Sequence, residues 1–238
     1  MFCSNILNLI KVIRYYKTSF FKKCCKFDIS IYSCKVRTYF KFHIIYDAYR
    51  MTNDSKLEPL VIIEKYYEKG SNLYNILVDH SERVKNKALE IAIHHPEFQL
   101  DKQFIAEAAM LHDIGIFLCN APRIHCHGKF SYIEHGYLGA KILRQEGLYK
   151  HALVCERHTG VGISLDMIIQ QQLPLPHRNL VPITFEEQVI CYADKFFSKT
   201  KDEMLSLTGI RTNLRKFGES QVLRFNTWNL LFEGGKTI

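Results

Sequence analysis

The stretch AAMLHDIGIF, residues 108–117, places a histidine and an aspartate side by side at the end of an apolar helical run. His112 and Asp113 are therefore expected in the interior, where an imidazole and a carboxylate cost free energy unless something compensates them. Coordination of a divalent metal is one such compensation. Because the dipeptide occurs by chance in many chains, its meaning depends on where further histidines and aspartates fall.

Four more residues of these two types stand at or near predicted helix ends, next to apolar sequence: His80, His135, His158 and Asp194. The successive separations along the chain, from His80 to His112, His135, His158 and Asp194, are 32, 23, 23 and 36 residues. These spacings match no local zinc motif, but they suit ligands that separate helices deliver into one bundle interior. Imidazole and carboxylate without thiolate fit Mn, Fe, Co, Ni, Zn or Mg. Taken singly, each histidine also has an ordinary explanation as a hydrogen-bonded core or surface residue.

The main region reads as one helix after another without convincing strand alternation, which predicts an all-α fold. Apolar spacing predicts helices over residues 59–70, 71–93, 102–114, 134–146, 149–157, 164–172, 185–199 and 219–232. Asp101, Ser164 and Thr184 are suitable N-caps, and Glu187 would complete a capping box with Thr184. Residues 115–131 are expected to form a loop because they contain two glycines and a proline.

The net charge of +8 resides entirely in the first 50 residues. Residues 1–50 hold ten Lys/Arg and two Asp/Glu, whereas residues 51–238 hold 22 Lys/Arg and 22 Asp/Glu. We expect translation to begin at Met51, so that residues 1–50 are upstream sequence. The alternatives are a disordered basic tail, or an arm that binds nucleic acid or an acidic membrane. Residues 51–238 are then a single domain with a C-terminal helix, and their neutral charge does not favour nucleic acid as a partner.

The eight cysteines form no CxxC pair, and four of them lie in the first 50 residues. In a chain of this size, such scattered cysteines predict reduced thiols and a cytoplasmic location. The sequence has no run of 18 apolar residues and no signal-peptide pattern, so we expect no membrane association of the main domain.

These motifs resemble the HD superfamily of metal-dependent phosphohydrolases, specifically the HDIG subgroup and its small, stand-alone, uncharacterised members. Residues 112–115 read as the HDIG motif itself. Three further segments are similar to family segments: EHGYLGAKILRQEG (134–147), ERHTGVGI (156–163) and FEEQVICYADKFFSKT (185–200). The resemblance covers about residues 70–200. It implies a helical bundle with a metal site in its interior.

The resemblance also implies a ligand set. One divalent ion would be held by His80, His112, Asp113 and Asp194. A second ion would share Asp113 and be held also by His135 and His158, two histidines that favour a dinuclear site. The family pattern fails at Ile116, where many HDIG proteins have a lysine that would help to hold phosphate. Residues 161–163 read Val-Gly-Ile, which departs from the signature of the cyclic dinucleotide branch.

The implied activity is hydrolysis of a phosphomonoester or phosphodiester by metal-bound hydroxide, with a small nucleotide-like or cyclic phosphate as substrate. Asp113 would be central to catalysis. The loop APRIHCHGKF (121–130) would border the site and offers candidates for binding phosphate or protonating the leaving group: Arg123, His125, His127 and Lys129. Each of these is equally well explained as a solvated loop residue. Arg157 is a further phosphate candidate or a partner in an ion pair.

Two other functions are compatible with the same residues. An HD-fold diiron oxygenase would use a similar ligand set, and a non-catalytic regulatory module would bind a ligand through a preserved metal site. The residues distinguish neither the metal nor the oligomeric state. The remaining histidines of the main region are expected at the surface: His94, His95, His151 and His177.

Overall fold

Nine α-helices make up most of the part of the chain described by this computed structural model, which comprises residues 57–200 and 203–234. They are α1 (Pro59–Ile63), α2 (Asn72–His94), α3 (Lys102–Leu111), α4 (His135–Gln145), α5 (Tyr149–Arg157), α6 (Leu165–Gln170), α7 (Phe185–Asp194), α8 (Leu207–Arg215) and α9 (Glu219–Glu233). The prediction of an all-α fold is confirmed. The predictions for residues 1–50 lie outside the described residues.

Short structured segments occupy the region between α3 and α4 that was predicted to be a loop. A small antiparallel hairpin pairs β1 (Asn120–Ala121) with β2 (Cys126–His127). Three 3-10 helices lie in or beside this region: Ile116–Leu118, Pro122–Ile124 and Tyr132–Glu134. A fourth one in the described chain, Pro96–Phe98, lies between α2 and α3. The strands are two residues long, so they do not change the fold class.

The predicted N-caps are confirmed. The side chains of Asp101, Ser164 and Thr184 each accept a hydrogen bond from a backbone N–H in the first turn of their helix. The predicted capping box at Thr184 is wrong in one detail. The Glu187 carboxylate accepts from the N–H of Ile183, one residue before the cap, at 2.8 Å. Glu187 thereby fixes the backbone of Ile183, the residue before the cap, rather than that of Thr184.

Helix α1 ends at Ile63, although the sequence pattern predicted a helix up to residue 70. Tertiary contacts explain the difference. The Tyr67 hydroxyl donates a buried 2.7 Å hydrogen bond to the carbonyl of Ile114. The neighbouring Tyr66 hydroxyl donates to Glu146, also at 2.7 Å. In a helix, the side chains of two adjacent residues point about 100° apart. Tyr66 and Tyr67 reach both hydrogen-bond partners because the chain leaves the helical conformation before them.

Helix α8 was not identified from the sequence. Its N-cap is Ser206, and its buried face consists of Leu207, Ile210 and Leu214. The helix has only nine residues and carries threonine and Gly209 in its first turn, residues with weak helix propensity. Packing against α9 stabilises it. Its buried residues recur at i, i+3 and i+7, so the sequence did contain an amphipathic signal for this helix.

The core lies among α2, α3, α5 and α7, each of which contacts at least two of the others. An aromatic cluster joins α7 to α9, where the ring centroids of Tyr192 and Phe225 are 5.2 Å apart. The buried Tyr192 hydroxyl donates to Asn229 at 2.9 Å, so its polar end is satisfied. The core thus surrounds the inner ends of the helices that carry the candidate ligands.

Helix α9 also holds the loop that follows α5. The buried side-chain amide of Gln221 accepts from the N–H of Val161 at 2.9 Å and donates to the carbonyl of Gly162 at 2.7 Å. The Arg224 guanidinium donates to the same two-residue segment. These contacts fix the chain immediately after His158.

Within residues 57–200 and 203–234, no helix is both long and apolar enough to cross a membrane. The cysteines in these ranges carry free thiols, and all of them are buried: Cys119, Cys126, Cys155 and Cys191. Burial raises the pKa of Cys126 to about 11, so this thiol is neutral at ordinary pH.

Candidate metal centre

Helix ends position five of the six candidate ligands, and the interior of α2 supplies the sixth. His112 is the C-cap of α3 and Asp113 follows it, while His158 is the C-cap of α5. Two ligands are terminal helix residues, because His135 begins α4 and Asp194 ends α7. His80 alone lies inside a helix, α2. All six side chains are buried.

One half of the cluster surrounds Oδ2 of Asp113. The Nε2 atoms of His80 and His112 lie 3.2 and 3.1 Å from this oxygen. The same two Nε2 atoms lie 2.9 and 3.5 Å from Oδ1 of Asp194. Two imidazole nitrogens and two carboxylate oxygens therefore converge, all within 4.8 Å of one another.

The other half surrounds Oδ1 of Asp113. His135 and His158 place their Nε2 atoms 3.2 and 3.4 Å from this oxygen. These two nitrogens are 3.0 Å apart. Each oxygen of one carboxylate thus faces its own pair of histidines.

Backbone contacts orient three of these rings. His112, His135 and His158 each place Nδ1 2.6–2.7 Å from the backbone carbonyl three residues earlier. A carbonyl oxygen only accepts, so Nδ1 carries the hydrogen in each ring. In the neutral form of each ring, Nε2 consequently presents a lone pair toward the cluster. This arrangement is typical of histidines that bind a metal.

A bound cation would satisfy buried atoms of the cluster that lack a well-formed hydrogen bond. Among the described residues, His112 Nε2 and both carboxylate oxygens of Asp113 are buried without a well-formed hydrogen bond. The lone pairs of His135 and His158 face each other at 3.0 Å, which is repulsive unless a proton or metal lies between them. Imidazole and carboxylate donors together fit divalent transition metals and Mg. The donor set is therefore able to hold a metal.

The electrostatics of the cluster favour positive charge near Asp113. Burial by itself would lower the pKa of His112, but Asp113 and Asp194 outweigh it and raise that pKa to about 9. Burial, which outweighs the pull of Asp113, lowers the pKa of His158 to about 4, so this ring is neutral at pH 7. Burial would raise the pKa of Asp113, yet Lys199 and His112 hold it well below its usual range.

Two lysines beside the cluster were missed from the sequence. The Nζ atom of Lys195 lies 2.6 Å from Asp194 Oδ2, and that of Lys199 lies 2.5 Å from Asp113 Oδ2. Helix α7 ends at Asp194, five residues before the predicted end, and tight turns follow it. Those turns carry Lys199 back to the cluster. The available signal was two lysines four residues apart directly after Asp194.

A cleft of about 310 Å³ adjoins the first half of the cluster. It is lined by Ile76, Asp79, His80, Arg83, Arg123, Ser198, Lys199 and Thr200. Of the candidate catalytic residues in the 121–130 loop, Arg123 lines this cleft. His127 and Lys129 are exposed on or beside β2 and are absent from its lining, and Lys129 lies over the Phe130 ring at 5.5 Å. Asp113 is fully buried behind the cleft.

Comparison with known proteins identifies the family. Residues 77–198 match the HD domain, and they include all six candidate ligands. The chain belongs to the HD domain family. No solved structure gives a significant match to this HD protein.

Three relatives of this HD protein are archaeal. The uncharacterized protein MJ0778 of Methanocaldococcus jannaschii is 38% identical over 52% of this chain and 68% of its own length. A tRNA (cytidine(56)-2'-O)-methyltransferase of Thermoplasma volcanium is 33% identical over 66% of the chain. The enzyme of the same name from Picrophilus torridus is 32% identical over 55% of the chain. The chain spans only 40% and 34% of these two methyltransferases.

One sequence-based expectation about the HD domain requires correction, and one pair of alternatives is decided by the structure. His151 was expected at the surface, but it is buried, and its Nε2 atom lies 3.2 Å from the Glu107 carboxylate. This buried polar pair on α5 and α3 lies outside the metal cluster. Arg157 does not line the cleft, because its guanidinium contacts both carboxylate oxygens of Glu187 at 2.8 and 2.9 Å. The ion-pair explanation of Arg157 is therefore the better one.

Proposed function

We propose that this HD protein is a metal-dependent phosphohydrolase that cleaves a phosphomonoester or phosphodiester. One observation carries the proposal: the two oxygens of Asp113 each face a separate pair of histidines. A carboxylate placed in this way is suited to bridge two divalent ions. Paired ions that share a ligand are a recurring arrangement in enzymes that cleave phosphate esters.

The charge of the cluster supports an anionic substrate. The carboxylates of Asp113 and Asp194 are already matched by the ammonium groups of Lys195 and Lys199. Divalent ions bound among neutral imidazoles would therefore leave the centre with excess positive charge. A phosphoryl group, which carries negative charge and several oxygens, is the complementary ligand.

We assign a role to each side chain. One ion would be held by His80, His112, Asp113 and Asp194, and the second by Asp113, His135 and His158. When bound, such ions lower the pKa of water and polarise a phosphoryl oxygen. The carbonyls of Ala109, Tyr132 and Cys155 keep three of the rings in the ligand tautomer. Lys199 and Arg123, which reach the cleft from different segments, would bind phosphoryl oxygens as they enter.

Phosphate release from a set of esters tests this proposal. The full chain, loaded in turn with Mn, Co, Ni, Zn and Mg, is incubated with phosphomonoesters, 2′,3′-cyclic nucleotides and dinucleotides. We expect metal-dependent hydrolysis of at least one class, and we expect a chelator to abolish it. A tRNA is included because two of the relatives are named as tRNA methyltransferases. Oxygen consumption by the iron-loaded protein without phosphate release would contradict the proposal.

The ion count of a histidine variant tests the dinuclear assignment. We expect His158→Ala to lower the metal content from about two ions per chain to about one, because it removes a ligand of the second group only. Metal analysis of equilibrated, desalted protein measures the change. His177→Ala, which alters an exposed histidine, is the matched control and should retain both ions. Equal loss from both variants, or one ion in the unaltered protein, would contradict the assignment.

A further inference from the structure

We propose that Gln221 of α9 is a positioning residue for the second metal ion, because it holds the turn that follows His158. The proposal rests on the dinuclear assignment. It adds to that assignment a residue from outside the match to the HD domain, which ends at residue 198. Occupancy by the second ion would then depend on the C-terminal helix of the described chain.

The turn after His158 has wide conformational freedom. His158 is the C-cap of α5, and helix ends fray when nothing holds the chain beyond them. Gly160 and Gly162 follow with φ angles of +61° and +88°, and the Gly162 N–H donates to the Thr159 carbonyl at 3.0 Å. Glycine loses more backbone entropy on folding than any other residue, so this segment gains the most by moving. Contacts from outside the turn therefore help to decide where His158 lies.

Gln221 supplies such contacts from α9. Its side chain is 1% exposed. The amide oxygen accepts from the N–H of Val161 at 2.9 Å, and the amide nitrogen donates to the carbonyl of Gly162 at 2.7 Å. A Cβ atom at Gly160 would lie 2.7 Å from the same amide oxygen, so the amide lies directly against the turn. Both ends of a buried amide are thus used, and losing either bond leaves a buried backbone group without that partner.

The backbone of His158 itself is held from α7. Its carbonyl accepts from the Cys191 thiol at 3.2 Å and from Lys195 Nζ at 3.3 Å. These contacts do not involve α9, so they remain when Gln221 is replaced. The first group of ligands is carried by α2, α3 and α7, and its ion should therefore be retained. Loss of Gln221 is expected to act selectively on the second ion.

Titration of the metal-free full chain with Co(II) tests the inference, with visible absorption and metal analysis as readouts. Gln221→Leu keeps the size of the side chain but leaves the buried Val161 N–H without its acceptor. We expect the affinity for the second ion to fall about tenfold or more, as when a group that orients a metal ligand is removed, and that for the first to stay within about twofold. With one ion bound, the spectrum should match that of His158→Ala.

Asn229→Leu is the matched control. It also removes a buried amide from α9, and it leaves the Tyr192 hydroxyl without its partner at 2.9 Å. The change in chemistry is the same as in Gln221→Leu, but this amide bonds to α7 rather than to the turn after His158. We expect Asn229→Leu to bind both ions as the unaltered protein does. Thermal unfolding in the presence of a chelator compares the stabilities of the two variants.

Arg224→Met provides a second, milder variant in case Gln221→Leu does not fold. Arg224 is half-buried, and its guanidinium donates to the carbonyls of Val161 and Gly162 at 2.7 and 3.1 Å. We expect the affinity for the second ion to fall by about threefold, which corresponds to the loss of a partly exposed hydrogen bond. The first ion should again bind unchanged.

The outcomes separate the positioning role from the function on which it rests. Equal weakening of both ions in Gln221→Leu, or loss of the second ion from Asn229→Leu, would indicate general loosening of the fold and overturn the role of Gln221. Normal binding of both ions by Gln221→Leu, or by Arg224→Met if the first variant does not fold, would overturn it as well. These results leave the phosphohydrolase proposal intact.

Two further results bear on both proposals. A single ion in the unaltered protein would overturn the role of Gln221 together with the dinuclear assignment. If the unaltered protein binds two ions, Gln221→Leu loses the second one and no ester is hydrolysed, the phosphohydrolase proposal fails and the role of Gln221 stands.

Discussion

Replacement of Asp113 by asparagine is expected to remove metal from both halves of the cluster and to abolish phosphate release. The amide keeps the shape of the side chain but loses the negative charge that both groups of histidines face. Each oxygen of Asp113 has two imidazole neighbours. Without this carboxylate the first group would keep only the carboxylate of Asp194, and the second group would keep none. We expect hydrolysis to fall by about a thousandfold or more, because metal-dependent stabilisation is worth several kcal/mol.

Metal analysis and phosphate release from the same preparation measure this loss. Asp166→Asn, at an exposed position in the first turn of α6, is the matched control and should retain metal and activity. Circular dichroism shows whether the variant is folded, since Lys199 loses its buried partner and the loss of one member of such a pair is destabilising. A folded Asp113→Asn variant that retains its metal and its activity would remove the proposed mechanism.

Replacement of Gly115 by alanine is expected to destabilise the fold severely. A Cβ atom at this position would lie 2.3 Å from the carbonyl oxygen of His135 and 2.4 Å from the backbone nitrogen of Gly139. The backbone angles of Gly115, φ −87° and ψ −3°, are accessible to any residue, so the requirement for glycine is one of space. Because both obstructing groups are backbone atoms, α4 must move. We expect a loss of about 3 kcal/mol or more.

Thermal unfolding measures the effect of this substitution. A loss of about 3 kcal/mol corresponds to a fall in Tm of roughly 6–12 °C for a domain of this size. We also expect weaker metal binding by the second group, since His135 is the first residue of α4. Gly209→Ala is the control, because its Cβ would meet only Ser206 Oγ at 3.4 Å. That variant should be as stable as the parent or up to about 1 kcal/mol more stable. A Gly115→Ala protein with an unchanged Tm would contradict the packing argument.

The sequence predicted the components of the centre better than the cleft around it. The positions of the six candidate ligands along the predicted helices suggested a shared site, and the resemblance to the HD family implied how they divide into two groups. Lys199 was missed because its approach to Asp113 depends on how the chain turns after α7. Among the loop candidates, Arg123 lines the cleft and Lys129 does not, although they are only six residues apart. Such a difference is set by the hairpin, which has no strong local pattern.

The sequence predicted where the long helices lie, but it did not predict several of the residues at which helices end. Apolar periodicity identified the long helices because each buries one continuous face. The early end of α1 depends on contacts of Tyr66 and Tyr67 with residues far away in the chain. The buried position of His151 likewise depends on Glu107, a partner 44 residues away. Interactions between residues far apart in the chain determine these features, so a short stretch of sequence does not predict them.

The separation of the six ligands along the chain has a consequence for folding. The cluster joins five helices whose contributions span residues 80 to 194. An ion bound there would close long loops, much as a disulfide does in a secreted protein. Since the unfolded chain offers no assembled site, metal binding would draw the folding equilibrium toward the native state by mass action. The supply of metal in the cell would then set the amount of folded protein as well as the rate of the reaction that the protein catalyses.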